Sequence, residues 1–273
     1  MAIERAYVWV VGPAGSGKTT LVEQVLKSNR SPLLMAARWR EDPSVRRPTE
    51  VSQRGPETER YRSVGASNTV IYRYPPDRPE DAEEDFWDTE FMTDFSHFLF
   101  EAETPAMKGG DLAVFVTRPL PARRALLVKR RIRRARALEE ALSSFRGTPI
   151  YDRLRREIGR EVRKHVAGGV RFREERWTLL PSHAALLTAR LVVINIRNER
   201  ERGAAERLAG EVARIRADAA VRRHVLGGRH DPGPATIVMA NLADPRDPGL
   251  RKALARIKAA VIRASATGDA TLE

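Results

Sequence analysis

Gly12-Pro13-Ala14-Gly15-Ser16-Gly17-Lys18-Thr19-Thr20 fits the phosphate-binding loop pattern G-x-x-x-x-G-K-[ST]. The residues on either side are those the pattern needs. Ala6-Tyr7-Val8-Trp9-Val10-Val11 is a short apolar run that predicts a strand feeding the loop, and the sequence over 20–27 predicts a helix leaving it. In such a strand, loop and helix, successive backbone N–H groups converge on phosphate oxygens and the new helix adds the positive end of its dipole. Lys18 supplies a mobile positive charge for the β- and γ-phosphates, and the Thr19 hydroxyl is placed to bind Mg²⁺. Gly12, Pro13, Ala14, Gly15, Ser16, Gly17, Lys18, Thr19 and Thr20 are therefore the expected contacts for a nucleoside triphosphate, ATP or GTP.

A chain of 273 residues has room for one large α/β domain, or for one domain carrying a sizeable insertion. It contains no cysteine, which excludes disulfides, thiolate metal ligands and a cysteine nucleophile. No apolar run reaches the roughly eighteen residues of a membrane helix. The first thirty residues hold the phosphate loop rather than a signal peptide. A cytoplasmic protein with no membrane association is expected.

Charge is unevenly spread. The net charge is +13, yet residues 121–176 carry 18 Lys/Arg against 7 Asp/Glu, and residues 77–103 carry 11 acids against one arginine. Of the 49 basic residues 42 are arginine, a bias that fits phosphate or carboxylate recognition through the guanidinium fork but equally fits a GC-rich genome.

Along the chain, strands are predicted over 32–37, 69–74, 94–101, 111–116, 191–195 and 236–240, and helices over 182–188, 201–223 and from about 250 onward. The proline-bearing stretch around Pro43, Pro48 and Pro56 reads as too broken for regular structure. Over 121–176, Leu138, Leu142 and Phe145, then Leu154, Ile158, Val162 and Val166, recur at helical spacing on either side of Gly147-Thr148-Pro149. Alternating strands and helices imply an α/β fold whose mostly parallel sheet is covered by helices on both faces, with a basic helical insertion. The expected organisation is a core first part over 1–120, the arginine-rich insertion over 121–176, and a core second part over 177–273.

Other positions carry chemistry. Glu101 ends an apolar strand where an acid can orient Mg²⁺ or water beside the phosphates, with Asp94 and Asp111 as weaker candidates. Asn195-Ile196-Arg197-Asn198 follows a strand where a guanine-specific nucleotidase carries Asn-Lys-x-Asp. Here Asn198 replaces the carboxylate that accepts twice from guanine, and Ile196 the lysine that packs over the base. That argues against guanine discrimination and leaves ATP and GTP open. Among the histidines, His97 reads as structural and His183 as a helix cap; His224, His230 and Asp231 flank a glycine turn without a recurrent ligand spacing.

The order of elements resembles the SIMIBI branch of P-loop nucleotidases, in particular the urease and hydrogenase maturation GTPases and the molybdopterin-guanine dinucleotide adaptor protein. Beside the loop, Glu59-Arg60-Tyr61-Arg62-Ser63-Val64-Gly65-Ala66 is similar to the adaptor's Arg-x-x-x-Ala-Gly-Ala segment. Ile237-Val238-Met239-Ala240-Asn241-Leu242 resembles the strand-Thr-Asn-Leu turn of the maturation GTPases. The resemblance spans roughly 1–120 and 185–264 and leaves the basic stretch without a counterpart; the cysteine metal motifs of the maturation GTPases are absent. It implies a P-loop NTPase that hydrolyses ATP or GTP with Mg²⁺, is often a homodimer, and couples nucleotide binding to maturation of a client enzyme or its cofactor. Lys18 and Glu101 are then the expected catalytic residues, Thr19 the metal ligand, and Asn195 and Asn241 further nucleotide contacts.

Two other functions fit the same residues. A kinase of a small molecule needs an acceptor pocket, which Arg38, Arg40, Arg60 and Arg62 can line. A nucleotide-regulated nucleic-acid-binding protein would use the basic stretch, which holds few aromatics for stacking. That stretch can instead pack on the acidic segment within the chain or across a dimer.

Overall fold

Both faces of the central strands are apolar, so both have to be covered. In β1 (Ala6–Val11), Val8 and Val10 belong to one core cluster, and Trp9 and Val11 to another on the opposite face of the sheet. The computed structural model describes residues 6–13, 15–29, 34–41, 45, 49–51, 56–74, 95–102, 112–119, 156, 186–217 and 234–266. The elements that follow β1 are α1 (Lys18–Ser28), β2 (Leu34–Glu41), β3 (Thr49–Val51), α2 (Pro56–Arg62), β4 (Asn68–Tyr74), β5 (His97–Glu101) and β6 (Leu112–Thr117). After these come β7 (Leu191–Asn195), a single 3₁₀ turn (Glu199–Glu201), α3 (Arg202–Ala217), β8 (Thr236–Ala240) and α4 (Pro248–Ala266).

The eight strands form one sheet in the order β3-β4-β2-β5-β1-β6-β7-β8. Every neighbouring pair is parallel except β3 with β4, so the sheet has seven parallel strands and one antiparallel edge strand. Helices cover both faces. Leu21, Val22 and Leu26 of α1, Tyr61 of α2, and Leu250, Ala253 and Ile257 of α4 pack on the Val8/Val10 face. Ala205 and Val212 of α3, with Leu186 and Ala189, pack on the other. The chain divides into two compact units, Met1–Arg118 with Leu180–Glu273, and Pro119–Leu179. The 121–176 stretch, apart from Arg156, and the acidic residues 77–94 lie outside the described residues, as do Asp94, Asp111, His183, His224 and His230. Among the described residues no helix is long and apolar enough to cross a membrane.

One expectation needs correcting. The proline-bearing stretch holds β3 and α2, since β3 spans residues without proline and Pro56 opens α2 and does not interrupt it. Pro56 is the first residue of α2, where its missing N–H costs nothing.

The ordering of strands fixes where a ligand can sit. The chain leaves β1 for β2, returns to insert β5 between them, and then places β6 on the other side of β1. Strand order therefore reverses around β1, and in open parallel sheets the crevice beyond the carboxyl ends at such a point is where ligands bind. The phosphate loop and the ends of β5, β2, β6, β7 and β8 all lie on this side.

The C-terminus of α2 is closed by a two-bond motif, with Ala66 N–H donating to Tyr61 O at 3.1 Å and Gly65 N–H to Arg62 O at 3.1 Å. Gly65 has φ +115°, a conformation that strains any residue with a Cβ. Gly65→Ala is expected to lower the unfolding free energy by about 1–2 kcal/mol in urea denaturation; unchanged stability would mean that α2 does not end this way in solution.

Candidate functional site

The loop that follows β1 is built by backbone. Gly12, Gly15 and Gly17 all take positive φ. At Gly17 the constraint is also spatial, because an added Cβ would lie 2.4 Å from Asn195 Nδ2. Gly17 is the residue before α1, and no side chain caps the helix, so its first N–H groups have no side-chain partner there. Ser16 is wholly buried and its hydroxyl has no hydrogen-bond partner among the described residues. Positive-φ glycines, an uncapped helix start and a buried, unpartnered hydroxyl make this loop a cradle suited to phosphate oxygens. Ala14 lies outside the described residues, and Thr20 is a half-buried residue of the first turn of α1.

Lys18, the first residue of α1, is only 7 % exposed. Its ammonium donates to Gly12 O at 2.7 Å and Pro13 O at 3.2 Å, curling back over its own loop. These carbonyls hold the charge at the cradle's rim.

Glu101, 3 % exposed, stands beside the loop at the end of β5, in register with Val10 of β1 and Arg38 of β2. The Thr19 hydroxyl donates to Glu101 Oε1 at 2.9 Å. Arg38 pairs with the same oxygen at 3.4 Å. The Tyr61 hydroxyl of α2 donates to Oε2. Burial, and after it the facing carboxylate, push the Tyr61 phenol far above its ordinary range, so the hydroxyl keeps its proton and acts as a donor. Next to it, Arg60 donates to Glu23 of α1 at 3.0 Å, while Arg62 Nε donates to the Thr69 hydroxyl at 3.1 Å. Arg38, Arg60 and Arg62, all able to line an acceptor pocket, thus have partners inside the fold, and Arg40 is not free either.

Beyond the loop, Asn195 at the end of β7 is 5 % exposed and uses both ends of its amide on backbone. Nδ2 donates to Ser16 O at 2.9 Å, and Oδ1 accepts from Leu242 N–H at 3.5 Å. Asn241 sits at the end of β8, where its Oδ1 accepts from Ala243 N–H at 3.1 Å and its Nδ2 reaches Arg197 O at 3.5 Å. The two asparagines link the phosphate loop to the β7 and β8 ends. Ile196 is buried in the sheet core, and Asn198 Oδ1 caps the 3₁₀ turn by accepting from Glu201 N–H at 3.2 Å. Glu201 also accepts from Arg118 at 2.6 Å and from Arg197 N–H at 3.0 Å. His97 is half-buried, its Nδ1 paired with Ser96 Oγ at 2.7 Å, and burial lowers its pKa from the ordinary value. Among the described residues no three His, Cys, Asp or Glu side chains come together.

Sequence reasoning did not find Tyr61 as a partner of Glu101, nor the pairing of Arg38 with it. Tyr61 lies in the Glu59–Ala66 segment, but its role depends on how α2 folds back on the sheet.

No protein-family model matches this chain, and no curated protein matches it. Two solved structures align with most of its length. One is the hydrogenase maturation factor HypB of Archaeoglobus fulgidus, 15 % identical over 94 % of this chain and 91 % of that one, with a TM-score of 0.47. The other is HypB of Helicobacter pylori in complex with nickel, 12 % identical over 95 % of this chain and 89 % of that one, with a TM-score of 0.41.

The brace under the loop is open to test. Asn195→Asp replaces the donor to Ser16 O with a carboxylate oxygen facing a carbonyl, in a buried position. Chemical denaturation should show a loss of about 1–3 kcal/mol; stability equal to the parent's would show that Asn195 does not hold the loop.

Proposed function

We propose that this chain binds a nucleoside triphosphate with Mg²⁺ at the β1 loop and hydrolyses it, using the cycle to act on a client protein. The observation that carries the reading is the convergence of Thr19, Glu101 and the glycine cradle at the point where strand order reverses. The client role rests on the sequence resemblance to maturation GTPases, and the chemistry rests on the site.

The donor set fits the metal. A threonine hydroxyl and a carboxylate are hard oxygen ligands, and Mg²⁺ is held in such sites by one or two protein oxygens together with substrate phosphates and water. When bound, Mg²⁺ offsets the charge that develops on the β- and γ-phosphate oxygens. Thr19 would hold it directly and Glu101 directly or through water.

The remaining work falls to the chain itself. Backbone N–H groups of 15–18 grip the phosphates, and Lys18 exchanges its two carbonyl partners for phosphate oxygens. That exchange replaces neutral acceptors with charged ones, and charge-assisted bonds are roughly twice as strong. Glu101 orients metal or water, and Asn195 keeps the loop on its seat. Asn241, just past β8, would be a further contact for the nucleotide. With Ile196 in the core and Asn198 committed to a cap, neither replaces the guanine-reading pair, so ATP and GTP should both be accepted.

Hydrolysis assays on the purified chain test this. Lys18→Ala should reduce turnover of both nucleotides by about 100-fold or more while thermal unfolding remains cooperative. Competition between ATP and GTP should give less than about a tenfold preference, the ratio set by about 1.4 kcal/mol. Turnover that survives the loss of Lys18 would remove the reading; a hundredfold preference for GTP would place guanine recognition elsewhere in the crevice.

A further inference from the structure

Glu101 could orient a metal only if its own carboxylate is held still. Its side chain ends a strand, and without partners its terminal torsion is broad and roughly two-fold. In this fold each oxygen has an assigned donor. Oε1 takes the Thr19 hydroxyl and Arg38, and Oε2 takes the hydroxyl of Tyr61.

We propose that Tyr61 is a positioning residue for the metal site, its buried hydroxyl fixing Oε2 of Glu101 so that Oε1 remains turned toward Thr19. This rests on the proposed reading, in which Thr19 and Glu101 hold Mg²⁺. Three observations carry it. Tyr61 is 2 % exposed and its ring belongs to the same core cluster as Val10 and Leu21, so the hydroxyl is delivered to the carboxylate by packing. The helix bearing it is tied at two consecutive residues to the elements that frame the site, Arg60 to Glu23 on α1 and Tyr61 to Glu101 on β5. Arg38 and Tyr61 also divide the work. Arg38 is a cation on the oxygen facing Thr19, and it balances the buried carboxylate charge in competition with any metal. Tyr61 is neutral and orients the carboxylate without opposing a second cation.

A tyrosine that fixes a metal-holding carboxylate leaves a distinct signature. In the full chain, Tyr61→Phe keeps the ring and removes the hydroxyl. Binding of a fluorescent non-hydrolysable triphosphate, followed as Mg²⁺ is titrated, should show the Mg²⁺ midpoint raised about tenfold, within the range for loss of a group that orients a metal ligand. Affinity for the same nucleotide in excess chelator should change less than about twofold. Hydrolysis at low Mg²⁺ should fall by about tenfold and recover as Mg²⁺ is raised, which a general loss of structure does not do. An unchanged midpoint, or an equal loss of affinity with and without metal, overturns the assignment. A parent chain whose nucleotide binding ignores Mg²⁺ overturns both the assignment and the reading beneath it. If the variant folds poorly, 3-fluorotyrosine placed at position 61 gives a second measurement. Its ¹⁹F resonance should shift when Mg²⁺ is added to the nucleotide-bound chain, and a resonance indifferent to metal contradicts the role.

Discussion

A carboxylate that is almost wholly removed from water has to be paired, and at Glu101 that requirement organises the elements around it. Thr19 answers it from α1, Tyr61 from α2 and Arg38 from β2. Each partner arrives by a different route. Arg38 is the register neighbour of Glu101 across the β2–β5 ladder, so parallel pairing alone puts the two side chains on one face of the sheet. Thr19 comes from the first turn of the helix that leaves the loop. Tyr61 requires α2 to stop where it does, at the left-handed Gly65. Burial of the charge is thereby tolerated, and the same pairing fixes the carboxylate's direction.

That cluster lies at the strand-order reversal around β1, which connects fold to chemistry. Inserting β5 between β1 and β2 brings an acid to the side of the phosphate loop. On the other side of β1, β6 and β7 bring Asn195 beneath the loop, where it holds Ser16 from 179 residues away in the chain. The loop is therefore braced from one flank and faced by a carboxylate from the other. Gly17 is required by this closeness, since the space beside it is already filled by the Asn195 amide. Stability and phosphate binding share one set of contacts.

How much of this is readable in the sequence follows from the range of each interaction. The loop, β1, β7 and β8 are legible because their signals are local, in apolar runs and a fixed motif. Glu101 is legible as an acid at a strand end, though its rivals Asp94 and Asp111 look equally local. The element α2 is not, because Pro-Glu-Thr-Glu-Arg-Tyr-Arg offers one buried aromatic in seven residues and no apolar periodicity. The Arg38 pairing is hidden for another reason. It depends on β2 lying next to β5, and spacing along a chain does not state which strands become neighbours. Asn195 marks a related difficulty: its place in a degenerate base-reading motif draws attention to the nucleotide, whereas its amide is engaged with the loop backbone.

The account stands on one claim, that the glycine cradle and the Thr19–Glu101 pair form a joint site for triphosphate and divalent metal. Calorimetric titration of the whole chain with non-hydrolysable ATP and GTP analogues, in Mg²⁺ and in excess chelator, tests it most directly. The account predicts saturable binding near one equivalent, weakened by about tenfold or more when the metal is withdrawn. Absence of binding to either analogue, or an affinity that does not depend on Mg²⁺, would contradict it.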